Sequence, residues 1–194
     1  LKDGDTVAAG TSLTAETKVT SEYGVATGDL SYQWYRSGVA IEGATAQTYK
    51  TNADDIDAIL TCTVKAANYD GTITSYGVNV GKAELGGDAK VDLKEGETTL
   101  EANATVKAGK TLTAYPYVNE SDVTVGTYTY QWYRNGAAIG EPTTVASYTT
   151  DVIDIDQTLS CTVTATNYDG ELTSVSVSIV RDSFEESAEV TITD

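Results

Sequence analysis

Six aspartates are the first residues whose spacing could do chemistry. Asp54, Asp55 and Asp57 stand together, and Asp151, Asp154 and Asp156 repeat the group. Carboxylates two or three apart in a loop are the donor type a calcium ion takes. Both groups lack the glycine and closing glutamate of a helix–loop–helix calcium site, so bracing of a turn is the plainer reading. Four tyrosines form the second set. Tyr35 and Tyr133 each follow a tryptophan and stand two residues from Gln33 or Gln131. An outward aromatic beside an amide can stack on a sugar or anchor a protein partner, and cross-strand cover is the simpler alternative. Tyr69 and Tyr168 sit in Asn-Tyr-Asp-Gly (68–71 and 167–170), where a loop-tip ring could meet a ligand or a neighbouring module. The other three residues of that stretch suit a turn for backbone reasons alone.

Catalysis finds little support. The chain contains no histidine, which removes the commonest general base and any Ser-His or Cys-His nucleophile system. Paired carboxylates could hydrolyse glycosides, but 29 acidic residues make chance pairs unavoidable. No catalytic residue and no cofactor is therefore expected. The two cysteines, Cys62 and Cys161, form no zinc-type cluster. A net charge of −17 argues against nucleic acid and anionic membrane as partners. No apolar run is long enough to cross a bilayer, and no secretion signal opens the chain. The start at Leu1 reads as a mature or excised fragment.

These residues are held by elements that occur twice. "AGTSLTA" (9–15) returns as "AGKTLTA" (108–114), and "LTCTVKAANYDGTITS" (60–75) as "LSCTVTATNYDGELTS" (159–174). "SYQWYRSGVAI" (31–41) returns as "TYQWYRNGAAI" (129–139), and "AKVDL" (89–93) as "AEVTI" (188–192). Most matches lie 99 residues apart, while Trp132 lies 98 after Trp34, so one residue is lost before it and regained by Tyr148. The expected division is a first module at 1–95 and a second at 96–194, with the joint near "LKEGETT". Each is large enough to bury its own core.

Within a unit the pattern has period two. Leu60, Cys62 and Val64 alternate with Thr61, Thr63 and Lys65, and Leu159, Cys161 and Val163 do the same. Tyr32 and Trp34 share one face, with Gln33 and Tyr35 on the other. Trp34 and Trp132 are thus expected as core pins, and both cysteines as buried free thiols. Ser-Gly and Asn-Gly after the tryptophan strand predict tight turns, and Asp-Gly in "NYDG" predicts another. "TNADDIDA" and "TDVIDIDQ" predict a turn or one loose helical turn. No helix-length amphipathic stretch exists. About seven short strands per unit predict a β-sandwich.

The order "AG-x-x-LTA … YQWYR-x-G-x-x-I … D-I-D-x-x-L-x-C-T-V-x-A-x-NYDG … TS" resembles the tandem immunoglobulin-like domains of bacterial cell-surface and adhesion-type proteins. The resemblance covers nearly the whole chain, twice. It implies two all-β immunoglobulin-like sandwiches and a non-catalytic, extracellular role as stalk, spacer or adhesion segment at the cell surface or in secreted form. Partners would be neighbouring modules of the same protein, or a protein or glycan of a host. A carbohydrate- or protein-binding module using the exposed tyrosines, accessory to a secreted enzyme, is the alternative. The chain departs from the animal pattern where strand B would carry a cysteine: Leu13 and Leu112 stand there. Leu60 and Leu159 replace the corner tyrosine. No disulfide is expected. "SAEVTITD" (187–194) is either a last strand of the second module or the first of another.

Overall fold

A computed structural model describes residues 1–20, 24–118, 123–183 and 189–193. Among them the regular elements are strands and two short 3-10 turns. They form two units. The first comprises Leu1–Leu85, the described part of Glu120–Gly126, and Asn167–Asp169. The second takes the described remainder.

In the second unit one layer runs Thr98–Thr99, Lys90–Glu95, Thr111–Tyr117, Ser147–Thr149. The facing layer runs Thr105–Lys107, Val177–Val180, Thr158–Ala165, Tyr128–Arg134, Ala137–Thr143, with Leu172–Thr173 beside Thr158–Ala165. Pairing is antiparallel except between Thr105–Lys107 and Val177–Val180, which run parallel. Val91, Leu93, Leu112 and Ala114 from one layer meet Trp132, Leu159, Cys161 and Val163 from the other. This is the two-layer immunoglobulin-like sandwich. Both cysteines are free and buried, so packing closes it without a disulfide.

The first unit repeats the larger layer: Thr6–Ala8, Val78–Gly81, Ile59–Ala66, Leu30–Arg36, Val39–Ala40. Among the described residues its second layer is Ser12–Thr14 with Thr48–Lys50. The unit also holds a short parallel pair, Ala83–Glu84 with Tyr168–Asp169.

Local sequence accounts for these elements. Along Ile59–Ala66 the burial alternates with the residues, since successive side chains leave a strand on opposite faces. The tight turns after the tryptophan strands have both central residues left-handed: Ser37 and Gly38 at φ 44° and 83°, Asn135 and Gly136 at 48° and 78°. That is the type I′ hairpin, whose twist suits the flanking strands. The acidic stretches become 3-10 turns at Ala53–Asp55 and Val152–Asp154.

The boundary differs from the expected 95/96. Lys90–Glu95 pairs along its whole length with Thr111–Tyr117 and opens the second unit, so the division falls after Leu85. A periodic sequence can be cut in any phase. Only the pairing partner of residues 90–95 decides to which unit they belong.

Candidate functional site

The repeated Tyr-Gln-Trp-Tyr-Arg strand lies inside the larger layer of each unit, between the cysteine strand, to which it is antiparallel, and the strand of the following hairpin. Trp34 and Trp132 point into the cores at 5% and 4% exposure. Trp34 stacks on Tyr49 at 5.6 Å between ring centroids, and Trp132 packs on Tyr148 at 5.5 Å. Trp34 Nε1 donates to the Ala46 carbonyl at 3.0 Å. The Trp132 Nε1 is out of solvent and finds no acceptor among the described residues. Buried indoles present no platform to a sugar.

The glutamines beside them are also committed. Gln33 Nε2 donates to the carbonyls of Trp34 and Ile41, both at 2.8 Å. Gln131 Nε2 donates to Trp132 at 2.9 Å and Ile139 at 3.2 Å. Each amide thereby fastens the hairpin that follows its strand instead of standing free next to Tyr35 or Tyr133. Those two tyrosines are half-buried on the outward face, opposite Thr61 and Ser160 of the cysteine strands.

The arginine ending that strand carries the chemistry that the sequence pattern did not single out. Arg36 Nε donates to Asp55 at 2.7 Å, and Arg134 Nε to Asp154 at 2.6 Å. Both carboxylates are fully buried. Each also accepts from a tyrosine hydroxyl, Tyr49 at 2.9 Å and Tyr148 at 3.1 Å. Each takes a backbone N–H as well, from Asn52 at 2.9 Å and Asp151 at 2.7 Å, completing a capping box on its 3-10 turn. Burial opposes the Arg36 charge, but the hydrogen bond and charge of Asp55 outweigh it and raise its pKa. On Arg134 the Asp154 hydrogen bond leads, in the same direction. The Tyr49 and Tyr148 hydroxyls are pushed up, first by burial and then by bonding to the carboxylate. A triad of Arg, Asp and Tyr thus ties strand, turn and core together twice.

The remaining aspartates do not join these two in a cation site. Asp57 and Asp156 sit in left-handed conformations at φ 64° and 63°, and Asp156 pairs with Arg181 at 2.7 Å. The Asp54 N–H donates to Asn52, and Asp151 accepts from the Val152 N–H. Among the described residues no three acidic or cysteine side chains gather as metal ligands.

"NYDG" works as a clasp. Tyr69 donates its hydroxyl to the Val25 carbonyl at 2.8 Å, and Asn68 Nδ2 to Ala26 at 3.0 Å. Tyr168 donates to Val123 at 2.8 Å, and Asn167 Nδ2 to Thr124 at 2.9 Å. The expectation of an exposed ring is corrected for Tyr168, which is 5% exposed: its hydroxyl reaches a loop carbonyl 45 residues earlier, and that turns the ring inward. Tyr69 stays half-buried.

No family model matches the chain, and no curated protein matches it significantly. Among solved structures, Rst D1-D2 matches at 11% identity and TM-score 0.39, over 91% of this chain and 95% of that one. The N-terminal four immunoglobulin domains of Dscam1 isoform 6.9 match at 18% and 0.45, over 93% of this chain. The titin I-band fragment I67-I69 matches at 13% and 0.40, over 94%. This chain spans 43% of the Dscam1 structure and 63% of the titin fragment. At these scores the likenesses carry no weight, and the fold stands on the strand order above.

Proposed function

We propose that the chain is a non-catalytic, extracellular pair of modules from a bacterial surface protein, serving as stalk, spacer or adhesion segment. The supporting observation is mechanical. In each unit two strands of the larger layer run parallel to each other: Thr6–Ala8 along Val78–Gly81, and Thr105–Lys107 along Val177–Val180. Tension that reaches such a parallel pair from its two opposite chain directions pulls the partners in opposite directions. It therefore loads the hydrogen bonds between them together, in shear, instead of opening them one at a time. The residues kept between copies serve the same end. Trp, Gln, Arg and Asp are spent on holding each unit, and both Asn-Tyr clasps lie within the first. The net charge of −17 adds repulsion between copies at a crowded surface. The structure has no described helix long and apolar enough to cross a membrane.

Single-molecule pulling tests this reading. Two separate unfolding events are expected, each releasing one unit of roughly 90 residues, about 300 Å of extended chain at ~3.3–3.6 Å per residue. Release of the whole chain in one step, or yielding at forces no higher than a helical protein of similar size, would refute it. Labelling of the parent protein on intact cells with an impermeant reagent tests the location.

A further inference from the structure

One face of the second unit carries groups that its core does not use. Thr111–Tyr117 buries Leu112 and Ala114 and turns Thr113, Tyr115 and Tyr117 to the other side, where the two rings are 40% and 45% exposed. Two residues along a strand set them about 7 Å apart. Lys90–Glu95 alternates in the same way: Val91 and Leu93 enter the core, and Lys90, Asp92 and Lys94 join the rings. The register puts Lys90 opposite Tyr117, Asp92 opposite Tyr115 and Lys94 opposite Thr113, with Ser147 on the far side of Thr113. Lys90 Nζ stands 5.0 Å from the centre of the Tyr117 ring, and Lys94 Nζ 4.4 Å from that of Tyr115. Lys90 also pairs with Asp92 at 3.1 Å. Lys94 forms no ion pair among the described residues. The rings belong to this unit and not to the repeat, since Glu16 and Lys18 stand at their places in the first copy.

Each of these groups has a use toward one kind of ligand. An exposed tyrosine ring stacks on the C–H face of a pyranose, and its hydroxyl reaches a sugar hydroxyl. An ammonium without an acidic partner takes a carboxylate in a charge-assisted bond. Asp92, Thr113 and Ser147 supply acceptors and donors for further hydroxyls. We infer that this face binds a glycan bearing an acidic sugar of the uronic or sialic type, whose carboxylate meets Lys94 while the sugar rings lie along Tyr115 and Tyr117. This rests on the adhesion role proposed above and gives it a ligand class. The side chains on the face are rings, hydroxyls and charges, with none of the aliphatic contacts that a peptide partner would use. The net charge of −17 is spread over the whole chain. At ~0.15 M ionic strength charges farther off than about 8 Å are largely screened, so the nearest lysines set the field at the face. Two lysines suffice for a single carboxylate, whereas nucleic acid or an anionic bilayer needs a wide basic surface.

The test is titration of the intact chain with sialyllactose and with a galacturonate trisaccharide, followed by the side-chain NMR signals of Tyr115, Tyr117 and Lys94. Lactose and a galactose trisaccharide serve as neutral counterparts, and tetraglutamate as an acidic peptide. Expected is saturable binding of at least one acidic sugar, at least ~fivefold tighter than its neutral counterpart and weaker as salt rises from about 0.05 to about 0.5 M. Lys94→Gln abolishes the preference for the acidic sugar. Tyr115→Thr with Tyr117→Thr weakens acidic and neutral sugars alike, by at least ~tenfold. Both variants change side chains on the outer face, and urea unfolding of each checks that the unit is folded. Absence of saturable shifts with either acidic sugar overturns the inference. So does equal binding of tetraglutamate, which would make the face a peptide site, and so does sugar binding that both variants leave unchanged. Two unfolding events under tension without sugar binding would keep the stalk role and remove this inference alone.

Discussion

Replacing Arg134 by Met tests the view that the repeated strand is kept for structure. The Asp154 carboxylate is 0% exposed and accepts from Arg134 Nε at 2.6 Å, with Arg134 Nη2 also at 2.6 Å. Tyr148 and the Asp151 N–H supply its other bonds, at 3.1 and 2.7 Å. Removing one partner of a buried ion pair costs about 3–5 kcal/mol, because the other charge is left uncompensated. The Arg134 side chain is 27% exposed, so water reaches that end and two neutral donors remain. The lower end applies, about 3 kcal/mol, a large share of the ~5–15 kcal/mol that holds a domain folded. That corresponds to a melting point about 12–24 °C lower for a unit of this size. The assay is urea unfolding in a Trp34→Phe background, so that Trp132 alone reports on the second unit. Asp154→Asn and the double variant complete a cycle, in which the double change costs less than the sum of the single ones. A loss under about 1 kcal/mol for Arg134→Met, typical of an exposed pair, or strict additivity in the cycle, would refute the reasoning.

Two further outcomes follow from the same geometry. Burial pushes the Cys161 thiol up to about 12 from its ordinary 9.0. Its folded pKa lies above the unfolded one, so its contribution is full below pH 9 and is lost as pH rises toward 12, by about 4 kcal/mol over that window at ~1.4 kcal/mol per unit. Unfolding of the second unit measured from pH 8 to 12 should therefore fall less steeply in Cys161→Ala, and an unchanged slope would count against it. Tyr168→Phe removes the donor to the Val123 carbonyl in a buried setting and should cost about 1–3 kcal/mol, whereas Tyr69→Phe, at a half-exposed ring, should cost about 1 or less. Amide exchange in residues 123–127 and 24–28 reads the difference, and equal effects would show that burial of the clasp does not matter.

Particular residues show where reading the chain alone stops. Alternation placed Trp34, Trp132, Cys62 and Cys161 inward, and the structure buries all four. Ser37-Gly38 and Asn135-Gly136 marked their turns, because a positive φ at two successive positions has a local residue signature. Arg36 and Arg134 carried no such mark. Each closes strand onto strand through an aspartate about 20 residues away, and the intervening length has no periodicity that points to the partner. A signal was available in hindsight: both arginines, both aspartates and both tyrosines recur at matching repeat positions. The turn-forming neighbours of Tyr168 predict a loop-tip ring, whereas the acceptor that draws it inward lies 45 residues earlier.

What the sequence by itself determined is therefore everything with a short repeat length: strand faces, tight turns, the 3-10 turns, and the presence of two copies of one all-β unit. What only the tertiary structure decided is pairing. "LTAETKV" (13–19) and "LTAYPYV" (112–118) have the same alternation, yet the second belongs to a seven-residue strand, Thr111–Tyr117, and the first to a three-residue one, Ser12–Thr14. The difference is that Lys90–Glu95 lies along the second. A strand's faces follow from the geometry of its own backbone, but its hydrogen bonds need a neighbour, and the neighbour is chosen by the fold rather than by the adjacent residues.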